Sequence, residues 1–229
     1  MGLGYRDGWL YHGVVDSREH PELPGAFSVH IHRSRDDGSE LAEVASFALD
    51  YPREGVWKTW SGSPAYDDRQ PLISDVEFRP DGTLILGLRN RLAHAVAGGD
   101  ALPTRADTPG RWAVVTDPEW YRDNLYRDDP YPGVNEALYG GLAPFPGRDL
   151  VVATAFAPTG KWLEYGAVWF DNATGSIRGP VDGREPLTDN ETPSLGDIEI
   201  YCPPDDSIPT PTASPTPLPT GVLLPCPGR

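Results

Sequence analysis

The chain has 229 residues and a formal net charge of −15 at pH 7. That length can bury a sizeable core, and the sign of the charge argues against nucleic acid and against an anionic membrane surface as partners. No run of about 18 apolar residues occurs, so the sequence offers no membrane insertion. With 26 Pro, 25 Gly, ten Tyr and seven Trp, the composition is rich in turns and suits strands better than helices.

In chain order, "GLGYRDGWLYHGVV" reads as a strand, a tight turn at Arg6-Asp7-Gly8 and a second strand. It has no basic n-region or apolar h-region, so no signal peptide is read there. A start inside a hairpin implies that upstream parts of a longer chain are missing. Phe27, Val29 and Ile31 then alternate with Ser28, His30 and His32, the period of a half-buried strand. "SDVEFRPDGTLILGLRNR" (74–91) is a hairpin whose turn is Pro80-Asp81-Gly82. "GGLAPFPGRDLVVATAF" predicts another around Pro146-Gly147, and "GAVWFDNATGSIRGPV" a third around Asn172 to Gly175. "DPEWYRDNLYRDD" (117–129) is the one place where a short helix is expected, and nothing longer than two turns is. "SLGDIEIYC" closes the strand pattern with a lone strand over 195–202.

From residue 203 the composition changes. "PPDDSIPTPTASPTPLPTGVLLPCPGR" holds nine prolines and reads as a disordered, partly polyproline linker or stalk. Cys202 and Cys226 are the two cysteines, compatible with a disulfide in an oxidising compartment or with two free thiols. The turn aspartates Asp7, Asp81 and Asp149 are spaced 74 and 68 residues apart, with about four strand candidates in each interval. Repeated four-stranded units are the signature of a β-propeller. The expected fold is therefore all-β: residues 1–202 form a partial, incomplete β-propeller of about three four-stranded blades plus one extra strand, and residues 203–229 form the Pro/Thr-rich tail. The blades needed to complete a ring are expected in a longer chain.

"PLISDVEFRPDGTLILGLRNR", "NEALYGGLAPFPGRDLVVATAF" and "SLGDIEIYC" together resemble the propeller region of bacterial SdrD B-like surface proteins, over roughly residues 2–202 and in the same order. The resemblance implies an extracellular or cell-surface location and a region that precedes B-type repeats or a Pro/Thr linker. No B-type repeat follows here. The resemblance supplies architecture more than activity, and the function expected of such a region is a non-enzymatic binding or display module, with a protein or glycan as partner.

Five acids are the candidate site. Asp75-x-Glu77 recurs as Asp197-x-Glu199, and strand alternation puts the acids of each pair on one face, with Val76/Phe78 and Ile198/Ile200 packing against adjacent blades on the other. If these strands are innermost, both pairs converge near an axial channel, where Glu136 can join them. Converging carboxylates raise one another's pKa unless a cation neutralises them, and hard oxygen ligands favour Ca²⁺. Asp75, Glu77, Glu136, Asp197 and Glu199 are thus candidate calcium ligands, candidate acids and bases of a calcium-dependent lactonase- or phytase-like hydrolase, or acceptors of backbone N–H groups from a neighbouring blade. His30 and His32 share a strand face without an evident third ligand, and His94 lies in a loop. Trp57, Trp60, Trp112, Trp120 and Tyr121 suit either a carbohydrate platform or packing between blades. No G-x-S-x-G elbow, H-E-x-x-H or P-loop occurs.

Overall fold

The computed structural model describes residues 2–20, 22, 25–53, 55–65, 68–92, 98–116, 120–121, 138–156, 158, 165–178, 182–184 and 197–200. Both cysteines, the Pro/Thr-rich segment, His94, Glu136 and nearly all of 117–129 lie outside them. Among the described residues there is no helix, and none therefore long and apolar enough to cross a membrane.

The described residues form twelve strands in three antiparallel sheets of four, taken up in chain order. The first contains β1 (Leu3–Arg6), β2 (Trp9–Asp16), β3 (Ser28–Ser34) and β4 (Ala42–Ala48). The second contains β5 (Pro71–Phe78), β6 (Leu84–Asn90), β7 (Asp100–Ala106) and β8 (Trp112–Val114). The third contains β9 (Leu138–Pro144), β10 (Leu150–Phe156), β11 (Tyr165–Asp171) and β12 (Asp182–Arg184). Each strand pairs with the next, so every sheet is an up-and-down meander.

The middle sheet is packed on both faces, and β6 shows why its sequence is an unbroken apolar run. Leu84, Leu86 and Leu88 join Val29, Ile31 and Val76 in the core between the first and second sheets. Ile85, between them in sequence, enters the core shared with Leu138, Leu142, Val151 and Val168 of the third sheet. Each such fully buried side chain stabilises the fold by about 1.5–3 kcal/mol. A further cluster on the far face of the third sheet, Ala143, Phe145, Val152, Ala167 and Trp169, is capped by Ile198.

The first strands of the three sheets lie side by side. Gly2 donates its N–H to the Ile73 carbonyl at 2.8 Å, tying the start of β1 to β5. Two glycines make the contact of β5 and β6 with β9 possible: a Cβ on Gly87 would stand 2.1 Å from the Gly140 oxygen, too close for any side chain. A second device is a bulge in β5, where the register with β6 shifts between Ile73 and Asp75. The extra residue lets Ile73 and Val76 both face the first sheet while Ser74, donating to the Gly140 carbonyl at 2.9 Å, faces the third.

The expected hairpin around Asn172–Gly175 forms as a short antiparallel return: the Asp171 N–H donates to the Ser176 carbonyl at 2.9 Å, the Arg178 N–H donates to the Trp169 carbonyl at 2.8 Å, and Phe170 bridges Ile177. At the turn the Asp171 carboxylate accepts the N–H groups of Ala173 and Thr174. The edge strand that completes the third sheet is β12, which pairs with Tyr165–Ala167. One expectation needs correction. The closing strand expected over 195–202 is not a strand in its described part, 197–200. That segment is held by the side chain of Ile198 rather than by a ladder.

Candidate functional site

The repeated acids lie within electrostatic reach of one another. β5 presents Asp75 and Glu77 away from the first sheet, as alternation requires, while Val76 and the half-buried Phe78 face it. Asp75 is 4 % exposed and accepts two backbone N–H groups, from Val76 in its own strand and from Leu142 in β9, both at 2.8 Å. One carboxylate thus clamps the second sheet to the third. Asp197 repeats half of this arrangement, accepting the N–H of Ile198 at 2.9 Å, but is exposed.

Electrostatics couples the two pairs. Burial first, and then the Glu77 charge, push the Asp75 carboxyl up to about 8, with Asp197 adding to the effect. Burial and then Glu199 push Glu77 up to about 7. Glu199 is raised as well, by its own desolvation and by Asp197. Glu136 lies outside the described residues. Among those described, no three His, Cys, Asp or Glu groups are disposed to hold a metal ion.

Glu77 and Glu199 line one open crevice of about 450 Å³. It lies where the turns of the β1–β2, β5–β6 and β9–β10 hairpins gather, so its other walls are Arg6, Arg79, Phe78 and Phe145 together with turn prolines. Arg6 donates to the Arg79 carbonyl at 3.1 Å and lies over the Phe78 ring at 5.2 Å. Arg79 donates to the Asn172 carbonyl at 3.2 Å and pairs with Asp149 at 3.5 Å. The crevice therefore offers carboxylates, guanidiniums and ring faces together, groups suited to gripping a polar polymer.

The arginines escaped the sequence reading. Their signal was an Arg immediately ahead of a turn, in "YRDG" and again in "FRPDG". A buried network was missed too: Arg53 and Asp100 pair at 2.9 Å with side chains 1 % and 2 % exposed, and the Tyr51 hydroxyl donates to the same carboxylate. Trp57 in turn donates to the Tyr51 oxygen at 2.8 Å.

The aromatic residues do not form a platform. Trp57 and Trp112 belong to the core between the first two sheets, whereas Trp120 and Tyr121 belong to that of the third. Trp60 donates to the Pro71 carbonyl at 2.8 Å and carries Arg91 over its ring. Their role is packing and hydrogen bonding, because they are divided between two cores rather than gathered on one face. No protein-family model matches the chain, and no curated protein matches it either.

Proposed function

We propose that the three sheets are successive blades of an incomplete β-propeller, from a bacterial surface or secreted protein like those of SdrD B type. In this reading the chain is a non-enzymatic binding module whose ligand is a protein or a glycan. The observation that carries it is the gathering of three hairpin turns at one end of β1, β5 and β9, with the crevice of Glu77, Glu199, Arg6 and Phe145 opening among them. Sheets repeated by rotation put like strands at like radius, and ligand sites then collect where their turns converge. Aromatic faces beside paired charges suit a sugar or an extended peptide. The remaining blades would come from a longer chain.

A calcium-dependent propeller hydrolase is the second reading, favoured by the mutual repulsion of the four acids, which a hard divalent cation would relieve. One set of measurements separates the two. Binding to arrayed glycans and peptides, lost in Arg6→Ala and Phe145→Ala, with no turnover of lactones or phosphoesters in the presence of Ca²⁺, is the expected result. Calcium-dependent turnover or thermal stabilisation that disappears in Glu77→Gln would transfer the case to the hydrolase.

A further inference from the structure

Arg33 carries a charge that the fold leaves without a partner. It stands opposite Tyr11 in the β2–β3 ladder, so it shares the face of Tyr11 and Trp9, which packs toward the second sheet. The residue is half-buried, and its Nε is closed to solvent with no acceptor. The guanidinium makes no hydrogen bond or ion pair with any described residue. What holds it is an indole: Arg33 lies over the Trp9 ring at 4.2 Å, and Arg35 lies over the same ring at 3.6 Å. Arg35 begins the turn after β3 and donates from its Nε to Glu40 at 3.1 Å.

Two turns adjoin the pair. Gly8, between β1 and β2, and Gly110, between β7 and β8, both have a φ of 78°, a backbone that calls for glycine. Backbone rather than side chain therefore lies beside the guanidiniums: a Cβ on Gly110 would stand 3.6 Å from an Arg33 Nη, and one on Gly8 3.7 Å from an Arg35 Nη. The same stack occurs elsewhere, as Arg53 over Trp57 and Arg91 over Trp60. There the donors are taken up, those of Arg53 by Asp100 and the Gly98 carbonyl, those of Arg91 by Gln70 and the Ser61 carbonyl. Arg33 is held in the same way but has no acceptor.

We propose that Arg33, with Arg35 beside it on Trp9, is a binding site for a single carboxylate group, such as a small monocarboxylate carries. A half-buried cation without an acceptor is costly, and an oxyanion that supplies two oxygens relieves that cost. The planar fork of a guanidinium matches the two oxygens of a carboxylate. Stacking on Trp9 fixes the plane of that fork before a ligand arrives, so less freedom is lost on binding. Surrounding charge limits the size of the ligand. The adjoining turns carry Asp7, Asp36, Asp37, Glu40 and Asp107, and the chain as a whole has a formal charge of −15. A polyanion is repelled along its length, whereas one carboxylate needs only the contact with Arg33. The site shares no residue with the crevice of Glu77 and Glu199 and does not depend on its role.

The test is a titration of the full chain with sodium acetate at constant ionic strength, followed through the arginine Nε–H and Trp9 indole N–H resonances in ¹H–¹⁵N spectra. Sodium sulfate and heparin are the competing probes. In the wild type, acetate moves the Arg33 and Trp9 resonances saturably, Arg35 by less, and Arg53 and Arg91 not at all. Arg33→Lys keeps the charge but not the fork. Read at Trp9, it weakens acetate binding by about tenfold or more, the equivalent of one charge-assisted hydrogen bond. Arg91→Lys leaves acetate binding unchanged. The proposal is overturned by a wild-type response that does not saturate or that the exposed arginines share equally. Tighter binding of sulfate or heparin than of acetate, or unchanged affinity in folded Arg33→Lys, would overturn it too. The wild-type spectra decide even where a variant does not fold.

Discussion

Asp75 does two things that oppose each other. As an acceptor of the Val76 and Leu142 N–H groups it joins two sheets, and as a charge it is buried beside Glu77. Asp75→Ala leaves both donors unanswered, at about 1–3 kcal/mol each, and a lower urea midpoint at pH 5 is the expected readout. The charge has its own signature in pH. Asp75 and Glu77 bind a proton more tightly when folded, at about 8 and about 7, than their ordinary values of 3.8 and 4.5 allow when unfolded. Their contribution is therefore most favourable below about pH 4 and is lost as pH climbs toward 8, at up to about 1.4 kcal/mol per pH unit and per group. Urea midpoints of the wild type should fall over that interval, and those of an Asp75→Asn/Glu77→Gln double variant should fall less. A midpoint that rises with pH in the wild type and not in the double variant would show that a bound cation or another partner has reversed the balance.

Elements were more legible than their edges. The run "LILGL" announces a strand buried on both faces, and the turn residues of Arg79–Gly82 and Phe145–Arg148 mark where the chain reverses. The bulge at Ser74 was not readable, because no residue type there demands it; it arises from the need to fit Ile73 and Val76 against one sheet and Ser74 against the other. Phe78 was expected to be core like Val76, yet it is half-buried at the mouth of the crevice, where its ring meets Tyr11 at 4.8 Å and Arg6 instead of a closed wall. The likeness of "SDVEF" to "GDIEI" did not foretell that Asp75 is buried and Asp197 exposed: sequence repeats a strand's own pattern, while burial depends on what covers it. Ile198 is the anchor of its segment, 3 % exposed against Phe145 and Trp169. Ile198→Ala should cost about 2–5 kcal/mol and move Trp169 toward solvent, seen as a red shift in the fluorescence of a variant that keeps Trp169 as its only tryptophan.

At the scale of the whole molecule, the join between the first two sheets is polar as well as apolar. Arg53 follows the first sheet, Asp100 opens β7, and the pair is closed to water. Removing one partner strands the other charge in the interior, so Asp100→Ala should lower stability by about 3–5 kcal/mol. A double variant, Arg53→Met with Asp100→Leu, should recover much of that loss in the same urea titration, because neither charge is then left alone.

Each sheet being one uninterrupted stretch of chain also governs how the molecule can be made. A ribosome delivers residues 2–48 before any of the second sheet exists, and a meander closes through short loops, whose entropic cost is small. The slow step is then the docking of one finished sheet on the next, since the Asp75 to Leu142 and Arg53 to Asp100 bonds span 67 and 47 residues. Under a pulling force applied at the ends, the same arrangement should yield in sheet-sized steps, each releasing a contiguous length of chain, and Asp75→Ala should lower the force at which the third sheet parts from the second.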